Sequence, residues 1–187
     1  MWTRPTWRVL FKLNKVNSEI TIQSSNGLSE KKVTCITINT DASFHPDHKV
    51  GGYAFYIVCD LFKIQKGGMF KSYPKSPEEA EIMCVGNAIA TLLAQKELPT
   101  STWLVINGDC KFGMEKIKTG KSSLGKQVNQ LWQKLIYRLG SKKNKMRYVK
   151  AHNGTPDSRS WVNNWCDTEA KKWMRKAVSE QVTLKST

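Results

Sequence analysis

KVTCITINTDASF, residues 32–44, is an apolar, β-branched run that ends on a carboxylate. Val33, Cys35, Ile36 and Ile38 supply the bulk of a central strand, with Thr34, Thr37 and Thr40 between them. Asp41 stands where the apolar run stops. An acid at the end of a core strand is costly unless something compensates it, which leaves two readings, a turn former or a metal ligand.

Outward from this strand the chain predicts an ordered series of elements. GGYAFYIVCD (51–60) and LFKIQKGGMFK (61–71) are two further apolar runs, and their short separations predict an antiparallel meander. Ser76-Pro77-Glu78-Glu79 is a helix start, with a Ser cap, Pro at the first position and acids in the first turn. The helix is expected to reach about Gln95, burying Ile82, Val85, Ile89, Leu92 and Leu93, with Glu81 on or beside that face. Trp103 to Asn107 predicts a second core strand, again with an acid, Asp109, just beyond it. Helices are expected over 110–118 and 123–139, the latter burying Trp132 with Val128, Leu131 and Leu135. A short strand over 146–150 leads into the loop AHNGTPDSRS, and a last helix from Trp161 carries Asp167.

Lys and Arg outnumber Asp and Glu 30 to 15, a formal charge of +15 that calls for a polyanionic partner. No apolar run approaches the ~20 residues of a membrane span, so no membrane location is expected; no small-molecule cofactor is expected either. The five cysteines are scattered without a C-x-x-C pair, as buried free thiols of a reducing compartment would be. The expected setting is intracellular and cytoplasmic, with organelle targeting by the basic N-terminus left open.

Four carboxylates thus stand at related places, Asp41 and Asp109 at strand ends, Glu81 and Asp167 on helices that pack on the same sheet. Parallel neighbours put their carboxyl ends together, and crowded carboxylates are relieved by Mg²⁺. The motifs TINTDASF, SPEEAEIM, VINGDCKF, VKAHNGTP and NNWCDTEA, in this order, resemble those of ribonucleases H of the bacterial and retroviral type over about residues 33 to 177.

That resemblance implies a five-stranded mixed α/β sheet, three antiparallel strands then two parallel, with helices on both faces. It implies an endonuclease that hydrolyses the RNA strand of RNA–DNA hybrids with two Mg²⁺ ions, for which Mn²⁺ can substitute, leaving 3′-hydroxyl and 5′-phosphate ends. Asp41 would bridge both ions, Asp167 would join it at the ion activating water, and Glu81 and Asp109 would hold the ion beside the leaving oxygen. His152 would shuttle a proton or help product leave, and Asn163 matches a position near the metals. Pro77 and Glu78 stand where relatives commonly carry polar amides that contact RNA, which shifts reading of the 2′-hydroxyl toward Ser43, Ser76 and the backbone after Asp41.

Residues 111–150 hold twelve Lys or Arg against one acid, Glu115. Lys111, Lys116, Lys118, Lys121, Lys126, Lys142, Lys143 and Lys145 are the expected phosphate contacts of the hybrid. The domain boundaries are expected at 1–32 for a basic extension, 33–178 for the catalytic domain and 179–187 for a polar tail. Within the extension, Trp7 to Val16 and Ile20 to Gln23 predict a small hairpin, an extra sheet edge, or an unordered arm. Two rival readings are an integrase- or resolvase-like DNA nuclease of the same fold and a non-catalytic hybrid-binding domain.

Overall fold

The computed structural model describes residues 20–22, 32–149 and 158–185 of the 187-residue chain. Six strands form one mixed sheet: β1 (Ile20–Ile22), β2 (Lys32–His45), β3 (Val50–Val58), β4 (Phe62–Met69), β5 (Thr100–Gly108) and β6 (Lys143–Tyr148), in the spatial order β1-β4-β3-β2-β5-β6. The helices are α1 (Pro77–Leu93), α2 (Lys111–Thr119), α3 (Ser123–Leu139) and α4 (Ser158–Lys185). β2, β3 and β4 form the expected antiparallel meander, and β5 and β6 add to β2 in parallel. The five expected strands are all present. β1 extends the sheet by one edge, pairing Ile20–Ile22 against Phe62–Ile64, whereas the strand expected at Trp7 to Val16 lies outside the described residues.

Alternation along the strands divides the core in two. Ile36, Ile38, Phe55, Ile57, Leu104 and Ile106 point to the face covered by α1, α2 and α3, where Trp132 is buried as expected. Ala54 and Tyr56 point to the other face and pack with Cys166 and Ala170 of α4. Helix ends are set locally. The Ser76 hydroxyl accepts from the Glu79 amide at 3.1 Å while Glu79 accepts from the Lys75 amide, a reciprocal cap. Gly120 and Gly140 close α2 and α3 at φ 64° and 58°, the left-handed turn that favours glycine.

Several boundaries differ from the sequence expectation. β2 does not stop at Asp41 but continues to His45, because β3 pairs with it as far as His45↔Val50. β6 begins at Lys143 rather than Met146 and ends at Tyr148; its exposed, charged start hides the strand from an apolar pattern, yet an edge strand tolerates lysines. α1 ends at Leu93, where Arg138 of α3 donates to the carbonyls of Leu93, Gln95 and Lys96. α4 runs to Lys185, so residues 179–185 of the expected polar tail are helical.

The position of α4 rests on one glycine. A Cβ on Gly52 of β3 would collide with the Ala170 carbonyl and the Met174 amide, so helix and strand approach at backbone distance. Gly52→Ala is expected to cost about 2 kcal/mol or more in denaturant unfolding, since neither colliding group is a flexible side-chain end. A variant as stable as the parent would show that α4 shifts freely on the sheet.

Candidate active site

The parallel ladder between β2 and β5 ends at Asn39↔Asn107, and each strand presents an acid two residues further on. Asp41 and Asp109 therefore emerge side by side where the parallel ladder ends, Asp41 within β2 and Asp109 just past the end of β5. Glu81 comes from the second turn of α1, and its Oε1 accepts from the Ala42 amide at 3.0 Å. The Cys84 thiol, one turn along α1, donates to the Asp41 carbonyl at 3.2 Å and lies 3.3 Å from that of Ala54, seating the helix on β2 and β3. One carboxylate oxygen from each of Asp41, Glu81 and Asp109 lies within 4.8 Å of the others.

Asp167 reaches the same pocket from α4, and Asn163, one helical turn earlier, lines it with Asn164 and Val149. Asp167 is not within the three-carboxylate group. Its carboxylate is paired instead with Lys171 at 2.8 Å along the helix.

The electrostatics are those of crowded acids. Burial first, then the charges of Asp109 and Asp167, raise the Asp41 carboxyl from the usual 3.8 to about 8. Burial, then Asp109 and Asp41, push Glu81 well above its ordinary value. The Lys171 ammonium acts on Asp41 in the opposite sense, as the last of its causes. An all-oxygen set this close, whose mutual repulsion a cation would relieve, suits a hard divalent cation. The residues present can therefore hold a metal ion.

The remaining expected residues are dispersed. Ser43 lies on β2 two residues past Asp41, and the Ser76 hydroxyl is engaged as the cap of α1. His152 lies outside the described residues. Lys111 and Lys118 are exposed on α2, Lys121 between α2 and α3, and Lys126 in the first turn of α3, but Lys116 is paired with Glu78 at 2.5 Å. Lys143 and Lys145 alternate with buried Met146, whose side chain faces the core beneath α2 and α3, so the two lysines project from the opposite sheet face. The Lys143 ammonium rests 4.8 Å from the Trp103 ring. The basic run of 111–150 is thus two surfaces rather than one, and a linear count of charges could not separate them.

Two further residues went unnoticed in the sequence. Asn164 lines the pocket, and its only signal was its place next to Asn163. Phe112 is 73% exposed in the first turn of α2, three residues after Asp109, where an unburied ring has no packing reason to be.

Comparison with known proteins agrees with this geometry. The RNase H family model matches residues 33–175. Among solved structures, the N-terminal RNase H domain of a Mycobacterium tuberculosis protein, solved as a fusion with maltose-binding protein, is 14% identical with a TM-score of 0.56, covering 79% of this chain and 99% of that one. LC11 RNase H1, solved in complex with an RNA/DNA hybrid, is 11% identical with a TM-score of 0.55, covering 76% and 99%. RNase H1 of the halophilic archaeon Halobacterium salinarum is 11% identical with a TM-score of 0.50, covering 76% and 98%. No curated protein matches the sequence. Identities this low speak to the fold; the family model spans every element that carries the four carboxylates, and the chain belongs to the RNase H family.

Proposed function

We propose that this protein is an endonuclease that hydrolyses the RNA strand of RNA–DNA hybrids, leaving 3′-hydroxyl and 5′-phosphate ends. The observation that carries the reading is the convergence of Asp41, Glu81 and Asp109 within 4.8 Å, with Asp167 across the same pocket. Asp41, Glu81, Asp109 and Asp167 would hold two Mg²⁺ ions, or Mn²⁺ in their place, which when bound supply an activated water and charge neutralisation at the leaving oxygen.

The chain's own residues do the positioning. Glu81 is locked to the Ala42 amide, which fixes its carboxylate against Asp41. Ser43 would meet a 2′-hydroxyl, the group that marks the RNA strand, since the Ala42 amide directly after Asp41 is already donated to Glu81. Glu78, tied to Lys116, is a poor candidate for that contact. Lys111, Lys118, Lys121 and Lys126 would follow the phosphates, with the Phe112 ring against a sugar face. His152 and Asn163 complete the proposed set, His152 as a proton carrier near neutral pH. Among the described residues no helix is long and apolar enough to cross a membrane.

Asp41→Asn or Asp109→Asn should lower hybrid cleavage by at least about 10³-fold, on the order of 4 kcal/mol of barrier. Hybrid affinity should stay within a few fold, because shape and basic surface are preserved. Wild-type cleavage of the hybrid with undiminished cutting by Asp41→Asn would place the chemistry elsewhere.

Proton binding at Asp41 gives a second expectation. Its folded value of about 8 lies above the unfolded one, so the folded metal-free protein holds an extra proton between about pH 4 and 8. Stability of the metal-free protein should therefore fall as pH rises through that window, and Asp41→Asn should melt higher than the parent at pH 8 but level with it near pH 4. Adding Mg²⁺ at pH 8 should raise the Tm of the parent and not of the variant. A parent Tm that is flat or rising from pH 5 to 8 without metal would contradict the crowded-acid description.

The two basic surfaces separate in a salt titration. Replacing Lys111, Lys118, Lys121 and Lys126 by Gln should reduce the slope of log affinity against log salt by about 2–4, near 0.9 for each phosphate no longer neutralised. Replacing Lys142, Lys143 and Lys145 should change it by less than about 1. The reverse ranking would route the duplex over the β6 face.

A further inference from the structure

Directly beneath the acids the sheet carries a polar layer that the nuclease reading does not use. Asn39, Asn107 and Arg147 occupy one register row across β2, β5 and β6 and point to one face. Arg147 Nε donates to Asn107 Oδ1 at 3.0 Å, and Asn107 Nδ2 donates to Asn39 Oδ1 at 2.8 Å. Asn107 is 8% exposed. The Thr40 hydroxyl of β2 donates to the Asn107 carbonyl at 3.3 Å, so Asn107 is held through both side chain and backbone.

Asparagine is disfavoured in central strands, and burying an amide is unfavourable unless it is hydrogen-bonded. Two of them in register, completed by an arginine from the third strand, is a row with a specific geometry. Two residues further along β2 and β5, on the same face, stand Asp41 and Asp109.

We propose that Arg147, Asn107 and Asn39 are positioning residues for the metal-binding carboxylates, setting the lateral spacing of β2 and β5 one row below Asp41 and Asp109. Repulsion between the two acids drives their strand ends apart, whereas the bonded row ties β2 to β5 and β5 to β6 immediately behind them. Arg147 is the anchor. It lies on the edge strand, and its guanidinium orients the Asn107 amide so that the NH₂ faces Asn39. Removing it frees that amide to turn, and the spacing of the acids loosens. The competing explanation is that the row only specifies strand register, in which case apolar side chains would serve the site equally well.

The test uses the full-length protein with Arg147→Met, Arg147→Lys, and the triple variant Asn39→Val/Asn107→Val/Arg147→Met. Denaturant unfolding and Mn²⁺ affinity by calorimetry are measured on each. An apolar row replaces the polar one in the triple variant, which should leave stability equal or raised. Groups hydrogen-bonded directly to metal ligands typically contribute 10–100-fold to metal affinity; this row stands one step further back, so Arg147→Met and the triple variant should bind Mn²⁺ more weakly by about 10-fold, the low end of that range, with Arg147→Lys in between. Their single-turnover cleavage of a hybrid should drop at low Mn²⁺ and recover at saturating Mn²⁺.

A folded triple variant with parental Mn²⁺ affinity would overturn the proposal and leave the row a register device. Should Arg147→Met and the triple variant not fold, parental affinity in Arg147→Lys would overturn it equally. The proposal rests on the nuclease reading only for the cleavage measurement. Parental protein that binds Mn²⁺ but does not cut hybrids would sink that reading while the affinities still decide the role of the row. Failure of the parent to bind Mn²⁺ at all would sink both.

Discussion

Repulsion among carboxylates at one end of the sheet is the constraint that the rest of this structure answers. Asp41, Glu81 and Asp109 are brought within 4.8 Å, and burial raises the free energy of the ionised forms of Asp41 and Glu81. Groups left that way hold a proton more tightly than free carboxyls do. A divalent cation would convert the same crowding into a binding site, and the fold holds the acids together without one. Strain of this kind persists only where surrounding structure over-determines the geometry. Here the determinants are the parallel pairing of β2 with β5, the Glu81 bond to the Ala42 amide, and the Cys84 thiol against two strand carbonyls.

The fourth acid is held by different means. Asp167 belongs to α4, which packs on the sheet face opposite α1 and reaches backbone contact with β3 only because Gly52 has no side chain. Its pairing with Lys171 partly offsets its charge, although that charge still reaches Asp41. The site is thus assembled from two halves, three acids organised by β2, β5 and α1 and one delivered by α4. Partly exposed i,i+4 pairs are weak, so a cation can compete with Lys171 for Asp167 at little cost.

The sheet and its order were legible because the core strands are β-branched and the turns short, and because Ser76-Pro77-Glu78-Glu79 declares the start of α1 in the chain itself. Asp41 and Asp109 were legible from their places just beyond apolar strand runs, and Glu81 and Asp167 from their helical positions together with the order of the motifs that resemble the family. β6 was misplaced by three residues because Lys143, Asn144 and Lys145 carry no apolar alternation, their pairing with β5 being a property of the edge and not of their side chains. The two-sided division of the basic residues was equally hidden. It depends on Met146 pointing to the core, on Arg138 turning back to cap α1, and on Lys116 meeting Glu78, which are all tertiary facts. Asn39 and Asn107 carry no signal of a shared row in the linear sequence; strand register places them together with Arg147.

The most direct measurement is strand choice. A duplex carrying a short ribonucleotide block in one DNA strand, labelled on both strands, is incubated with the purified protein and Mg²⁺, and the new ends are identified. A nuclease that reads the 2′-hydroxyl beside Asp41 will cut within the ribonucleotide block, leave a 5′-phosphate and a 3′-hydroxyl, and spare the all-DNA strand. Equal cutting of both strands, or of an all-DNA duplex, would contradict it.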